Sequence, residues 1–319
     1  MNTPWLKTTL KILVAIALLS WFLIKSDLNK VFANIANLSI NILFAALLIN
    51  FIYIIIKSFR WRLFLPQYSL AKLFKLSLIC QFYTIFSFGQ FAGEAAKIYI
   101  LGKGRENSGQ IAMSVLIDKV CGIIGPVIIA IFGLIFTKII LPKSLIWTFI
   151  IMVIICLILI FSVRLPLFYQ ALSGFFVNWL KRSRRFVGLI NLFIKTIEAW
   201  YIYSKQIRII LASIFLSVIL QLLSIGIYMI LSSGFAIPVS FFDWCWLSSI
   251  ISGLLVLPIT IGGLGVREGS LVGLLGFFAI APEKALALSF SLFGVQLFFA
   301  VIGGLVETRR SKMFKLRQI

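Results

Sequence analysis

Apolar stretches near residues 10–24, 42–59, 111–137, 145–163, 208–231 and 285–305 run along the chain without the two-residue alternation of a half-buried strand. Each is long enough, or nearly so, to cross about 30 Å of hydrocarbon as a helix. Two further apolar regions break in the middle. One spans about 74–105 and is interrupted at Gly89-Gln90-Phe91-Ala92-Gly93-Glu94. The other spans about 244–281 and is interrupted at Pro258-Ile259-Thr260-Ile261-Gly262-Gly263-Leu264-Gly265-Val266-Arg267-Glu268-Gly269. Arms such as Leu247–Leu257, rising about 1.5 Å per residue, reach only about half the bilayer. The pattern predicts an all-α polytopic membrane protein, a single membrane domain over 1–319 with about six full spans plus two re-entrant helical hairpins. It excludes an outer-membrane barrel, whose strands alternate.

Composition agrees: 61% hydrophobic residues, 12% charged and a mean hydropathy of +1.11 over 319 residues do not describe a soluble domain. Thirty Lys and Arg against nine Asp and Glu give a formal charge of +21. Because these basic residues flank apolar spans, they read as orienting charges that meet anionic lipid head groups, and not as a nucleic-acid surface. They concentrate at 57–75 (Lys57, Arg60, Arg62, Lys72, Lys75), at 164–208 and at the C-terminus (Arg309, Arg310, Lys312, Lys315, Arg317), which the positive-inside rule makes cytoplasmic. The first apolar run has no small-residue cleavage site after it, so it reads as an uncleaved span. Both termini are then expected in the cytoplasm of a multi-pass protein of the cytoplasmic membrane.

Parity turns these positions into a topology. Three apolar regions lie between the first two basic clusters, which fits only if 74–105 enters and leaves on one side. By the same count 244–281 enters from outside. Span, span, hairpin, span then recurs with inverted orientation, an inverted-topology repeat of 1–140 and 141–310. Such repeats place a transport site between their broken helices near the midplane.

Charges inside these regions are the candidate chemistry, because a lipid-facing charge at the bilayer centre costs about 3 kcal/mol on insertion scales. Glu94, Lys97, Asp118, Lys119, Arg267 and Glu268 are expected to line a hydrated cavity or to pair with one another. Arg267 reads either as an interfacial anchor or as a bidentate grip on phosphate, backed by glycine N–H groups at a half-helix N-terminus. Glu94 reads as a structural cap, as a counter-charge for a cationic head group, or as a proton carrier. Asp118 and Lys119 read equally as the solvated start of a helix or as cavity residues. The substrate-binding set is therefore Gly89, Gln90, Gly93, Glu94, Lys97, Asp118, Lys119, Gly262, Gly263, Gly265, Arg267 and Glu268. Cys80, Cys121, Cys156 and Cys245 sit unpaired in apolar stretches, and the chain has no histidine. No catalytic residue, metal site or cofactor is expected.

Segment 166–206 mixes Phe175, Phe176, Trp179, Phe186 and Phe193 with Lys181, Arg182, Arg184, Arg185 and Lys195. It is expected to form amphipathic helices on the cytoplasmic face. A docking surface for a lipid-synthesising enzyme is the alternative reading.

Gly-x-x-x-Gly-Glu-x-x-Lys at 89–97, Asp118-Lys119, and Pro-x-x-x-Gly-Gly-Leu-Gly-Val-Arg-Glu-Gly at 258–269 resemble the flippase-like membrane domain of the lysylphosphatidylglycerol synthase family. The resemblance covers nearly the whole chain and implies translocation of a phospholipid or related lipid between leaflets. In that family a soluble aminoacyl-transferase domain follows the membrane region, and these 319 residues contain none, so no aminoacyl transfer is expected. Gln90 and Lys97 stand where many relatives carry Arg. Two readings from other classes compete: a membrane enzyme acting on a lipid-phosphate carrier, with Glu94, Asp118 or Glu268 as general base, and an ion-coupled transporter of a small solute. Membrane lipids are the expected partners under the first reading.

Overall fold

The computed structural model describes residues 27–87, 90–102, 107–139, 143–165, 187–256 and 262–316, with positions 170, 174, 175 and 260 between them. Eleven α-helices and one 3₁₀ turn account for nearly all of these residues. In chain order they are α1 (Leu28–Ala36), α2 (Ile40–Arg62), α3 (Leu70–Phe86), α4 (Gln90–Gly102), α5 (Ser108–Phe136) and α6 (Lys143–Phe161). They continue as α7 (Val187–Lys205), α8 (Ile207–Gly234), α9 (Phe241–Val256), α10 (Val266–Gly276) and α11 (Pro282–Leu316). The expected span near 10–24 lies outside the described residues.

The other five expected spans are, among the described residues, the five helices long and apolar enough to cross a membrane: α2, α5, α6, α8 and α11. At about 1.5 Å per residue, the 23 residues of α2 reach about 34 Å, and the 35 of α11 run well beyond one bilayer. Along α6, Trp147, Ile151, Ile154, Ile155 and Ile158 are each half exposed or more, an apolar stripe suited to a lipid environment.

Both expected breaks are present as paired short helices. α9 and α10 are separated by residues 257–265, where Gly262, Gly263 and Gly265 hold φ of 64, 76 and 84°, a region that side chains disfavour. In the first pair the interruption falls earlier than the sequence suggested. The helix resumes at Gln90, so Gly93 and Glu94 belong to α4 and not to the break. Gly93 serves packing instead: a Cβ there would lie 2.8 Å from the Cys80 carbonyl oxygen of α3.

Contacts between helices follow an exchange pattern. α5 packs on α9 and α11 packs on α3; α2 packs on α8; α3 pairs with α4 as α9 pairs with α10. The first two of these close approaches rest on glycine. At Gly133 of α5 a Cβ would meet the Phe242 carbonyl oxygen at 2.5 Å, and at Gly303 of α11 it would fall on the Leu78 carbonyl. Small residues let membrane helices approach backbone to backbone where no hydrophobic drive separates protein from lipid. Within α5, Pro126 lacks the N–H that would close the rung to Gly122.

The expected surface segment is only partly described. Its C-terminal half forms α7, which packs on α5 and does not lie free on the bilayer. The Tyr203 hydroxyl donates to the Phe64 carbonyl at 2.6 Å, the Trp200 indole donates to Ile160 at 3.1 Å, and Arg164 donates to Ser204. Ile197 and Ala199 are buried in that seam. An aromatic-basic composition cannot distinguish such docking from interfacial lie, because both bury one apolar face.

Candidate functional site

Eight helices converge on one polar cavity of about 300 Å³: α2 to α5 from the first half of the chain and α8 to α11 from the second. α1, α6 and α7 contribute nothing to its wall. α2 supplies Asn50, Tyr53, Lys57 and Arg60, and α8 supplies Ser217, Gln221, Ser224 and Tyr228. Each set repeats at three or four residues, so each is a polar stripe on one face of an otherwise apolar helix. α3 adds Gln81 and Thr84, α4 adds Glu94, α5 adds Asp118, Lys119 and Gly122, α10 adds Arg267 and α11 adds Gln296.

Two ion pairs stiffen this wall. Arg60 Nε donates to Asp118 Oδ1 at 2.8 Å and Nη2 to Oδ2 at 3.0 Å, while Nη1 donates to Ser217 Oγ at 2.7 Å. One guanidinium therefore joins α2, α5 and α8. Both Arg60 and Asp118 are buried, and the two-pronged geometry with added hydrogen bonds is what a buried pair needs to offset desolvation. The second pair joins Lys97 Nζ to Glu94 at 2.9 Å, within α4. Lys97 lies behind the wall with its ammonium 4.9 Å from the Trp61 ring centre, and the Trp61 indole donates to Ser114 at 3.1 Å.

Arg267 is arranged differently. It is 4% exposed, its Nη2 donates to the neutral Gln296 Oε1 at 2.7 Å, and its Nη1 has no hydrogen-bond partner among the described residues. No acidic side chain salt-bridges it among those residues. Its neighbour Glu268 turns the other way, accepting from the Gly265 N–H at 2.6 Å and from Ser289 Oγ at 2.9 Å. Glu268 is fully buried and caps the start of α10, which fixes the direction in which Arg267 leaves the helix. The positive-φ glycines complete that turn; a Cβ on Gly263 would strike Leu255 at 2.6 Å.

Of the residues expected from sequence, Glu94, Asp118, Lys119 and Arg267 line the cavity. Gly93, Lys97, Gly262, Gly263, Gly265 and Glu268 support it from behind. Gly89 lies outside the described residues, as does the side chain of Gln90. Asp118 and Lys119 sit three turns into α5 and not at a solvated helix start. Arg60 corrects the positive-inside reading: its charge is inside the bundle, buried against Asp118, and does not belong to the loop cluster. Asn50, Gln81 and Gln296 are cavity residues that motif reading passed over. The signal available for Asn50 was its spacing to Tyr53, Lys57 and Arg60 on one helical face.

A polytopic helical membrane protein with a charged cavity walled by two pairs of short helices and four long ones is the class that this architecture defines. The chain belongs to the family described as the lysylphosphatidylglycerol synthase TM region, which matches residues 8–304. No curated protein and no solved structure matches it.

Proposed function

We propose that this protein moves a phosphate-bearing lipid between the leaflets of the cytoplasmic membrane, with the head group crossing through the cavity while the tails stay in lipid. The observation that carries the reading is Arg267: a nearly buried guanidinium on the cavity wall, with Nη1 unpartnered and no acidic side chain salt-bridging it among the described residues. Holding such a charge away from water costs several kcal/mol. A resident structural role would pair it, as Arg60 is paired; an anionic ligand supplies the missing partner. Exchange of head group, and no covalent step, is all that the arrangement requires.

The exchange of contacts between α2–α5 and α8–α11 supports an inverted-topology repeat, with the α3/α4 hairpin opening to the cytoplasm and α9/α10 to the outside. Both termini then face the cytoplasm.

Reconstituted proteoliposomes test the reading. Fluorescent phosphatidylglycerol labelled on an acyl chain should change leaflets faster than in protein-free liposomes with wild type and with Lys30→Ala, an exposed position. With Arg267→Ala the protein-dependent rate should fall at least about tenfold. A wild type no faster than empty liposomes, or an Arg267→Ala variant as fast as wild type, would reject it.

A further inference from the structure

We infer that Gln296 is a positioning residue for phosphate recognition: it holds Arg267 at the cavity wall through a neutral amide, so that the guanidinium is fixed in place with its charge uncancelled. The inference rests on the reading that Arg267 receives the lipid phosphate, and it names the residue that keeps Arg267 fit to do so.

The two buried arginines of the cavity supply the comparison. Arg60 is held by a carboxylate, with Asp118 accepting from Nε at 2.8 Å and from Nη2 at 3.0 Å, so its charge is cancelled inside the bundle. Arg267 is held as closely, its Nη2 donating to Gln296 Oε1 at 2.7 Å, but the acceptor is an amide. A carboxamide oxygen accepts the same hydrogen bond and carries no formal charge. Arg267 therefore keeps its full charge at 4% exposure, with Nη1 unpartnered among the described residues. Glutamate is as long as glutamine and would turn the contact into an ion pair of the kind that Asp118 makes with Arg60. An incoming phosphate would then compete with a resident carboxylate for the forked donors it needs.

α11 is patterned to hold this arrangement. Phe293 and Gln296 follow Ser289 by four and seven residues, which places all three on one face of the helix. Ser289 Oγ donates to Glu268 at 2.9 Å, the Phe293 ring centre lies 5.6 Å from the Arg267 guanidinium carbon, and Gln296 accepts from Arg267. One helix face thus contacts both charged neighbours at the start of α10. Glu268, the acid adjacent to Arg267 in sequence, is occupied by Ser289 and the Gly265 N–H. The guanidinium is steadied by an aromatic ring and an amide, neither of which neutralises it. Gln296 and Arg267 both line the cavity, so the pair stands where a ligand can reach it.

Two measurements on the purified full chain in neutral detergent test this role: affinity for dihexanoyl phosphatidylglycerol by native mass spectrometry, and the thermal midpoint. Gln296→Glu should match or exceed the wild-type midpoint, because an ion pair replaces a neutral contact, yet bind the probe about tenfold or more weakly. Gln296→Met, which keeps the volume and removes the acceptor, should lower the midpoint but weaken binding only about two- to fivefold. Stability and affinity then rank the two variants in opposite orders, whereas a merely structural glutamine would make affinity follow stability. Gln296→Glu binding as tightly as wild type, while Arg267→Ala loses binding, overturns the inference and leaves Arg267 as the phosphate site. A Gln296→Glu chain that does not fold overturns it too, since the neutral partner would then serve folding. Arg267→Ala binding as tightly as wild type, or no binding to wild type, rejects the site together with its positioning residue. The expected order of affinities in a wild type that exchanges no lipid between leaflets upholds Gln296 and rejects translocation.

Discussion

Arg60 and Arg267 are both buried arginines in one cavity, and their partners separate their roles. Removing the Asp118 partner by Asp118→Asn leaves the Arg60 charge buried and unpaired, a loss of about 3–5 kcal/mol for a buried pair. Thermal unfolding of the detergent-solubilised protein should show a markedly lowered midpoint. Arg60→Met combined with Asp118→Leu should recover much of that loss, because two apolar groups of similar size need no desolvation. A double variant as unstable as the single one would mean that the Ser217 contact or the shape of the Arg60 side chain matters more than the charge. At Arg267 the stability change should be smaller and the transport change larger. Sequence motifs pointed to Asp118 and Arg267, since a charge in an apolar run is conspicuous. They hid Arg60, because α2 continues as a helix to Arg62 while its last turns carry the basic residues that usually announce a loop. Helical spacing from Asn50 would have revealed it.

Among the elements, both broken helices were readable because glycine clusters interrupt apolar runs, while their inner boundaries were not. Gly93 looked like part of the break, yet it is a packing position, and sequence alone does not say whether a glycine bends a chain or lets another chain approach. The same ambiguity at Gly303 and Gly133 is resolved by what surrounds them. Gly303→Val should sharply reduce the folded yield of purified protein, since its Cβ falls on the α3 backbone, which cannot move aside as a flexible side chain would. Gly273→Ala on α10 should leave the yield unchanged, because nothing lies within 4 Å of a Cβ there. Comparable yields for the two variants would dismiss glycine-mediated packing as the basis of the α3–α11 seam. Glu268→Ala belongs with these. Loss of its cap should cost about 0.5–2 kcal/mol and loosen the start of α10, lowering the thermal midpoint more than Glu268→Gln, which still accepts from Gly265.

For the whole molecule, five of the six expected spans and the two broken helices were legible in apolar run length, but the docking of α7 was not, because it depends on side-chain fit against α5. Sidedness is directly measurable. The four native cysteines are buried, so a single introduced cysteine dominates labelling by a membrane-impermeant maleimide. In intact cells Ala281→Cys, in the exposed turn between α10 and α11, should label at once, whereas Gln67→Cys, between α2 and α3, should label only after permeabilisation. Labelling of both from the same side would reject the inverted repeat. The helix that ties the two halves together is α5, fastened to α2 by Asp118 on one side of Pro126 and seated on α9 by Gly133 on the other. With the rung between Gly122 and Pro126 missing, α5 is at its weakest there, as proline makes any helix. Bending at that missing rung, beside the cavity that Gly122 and Pro126 line, would let the two ends of α5 follow different neighbours.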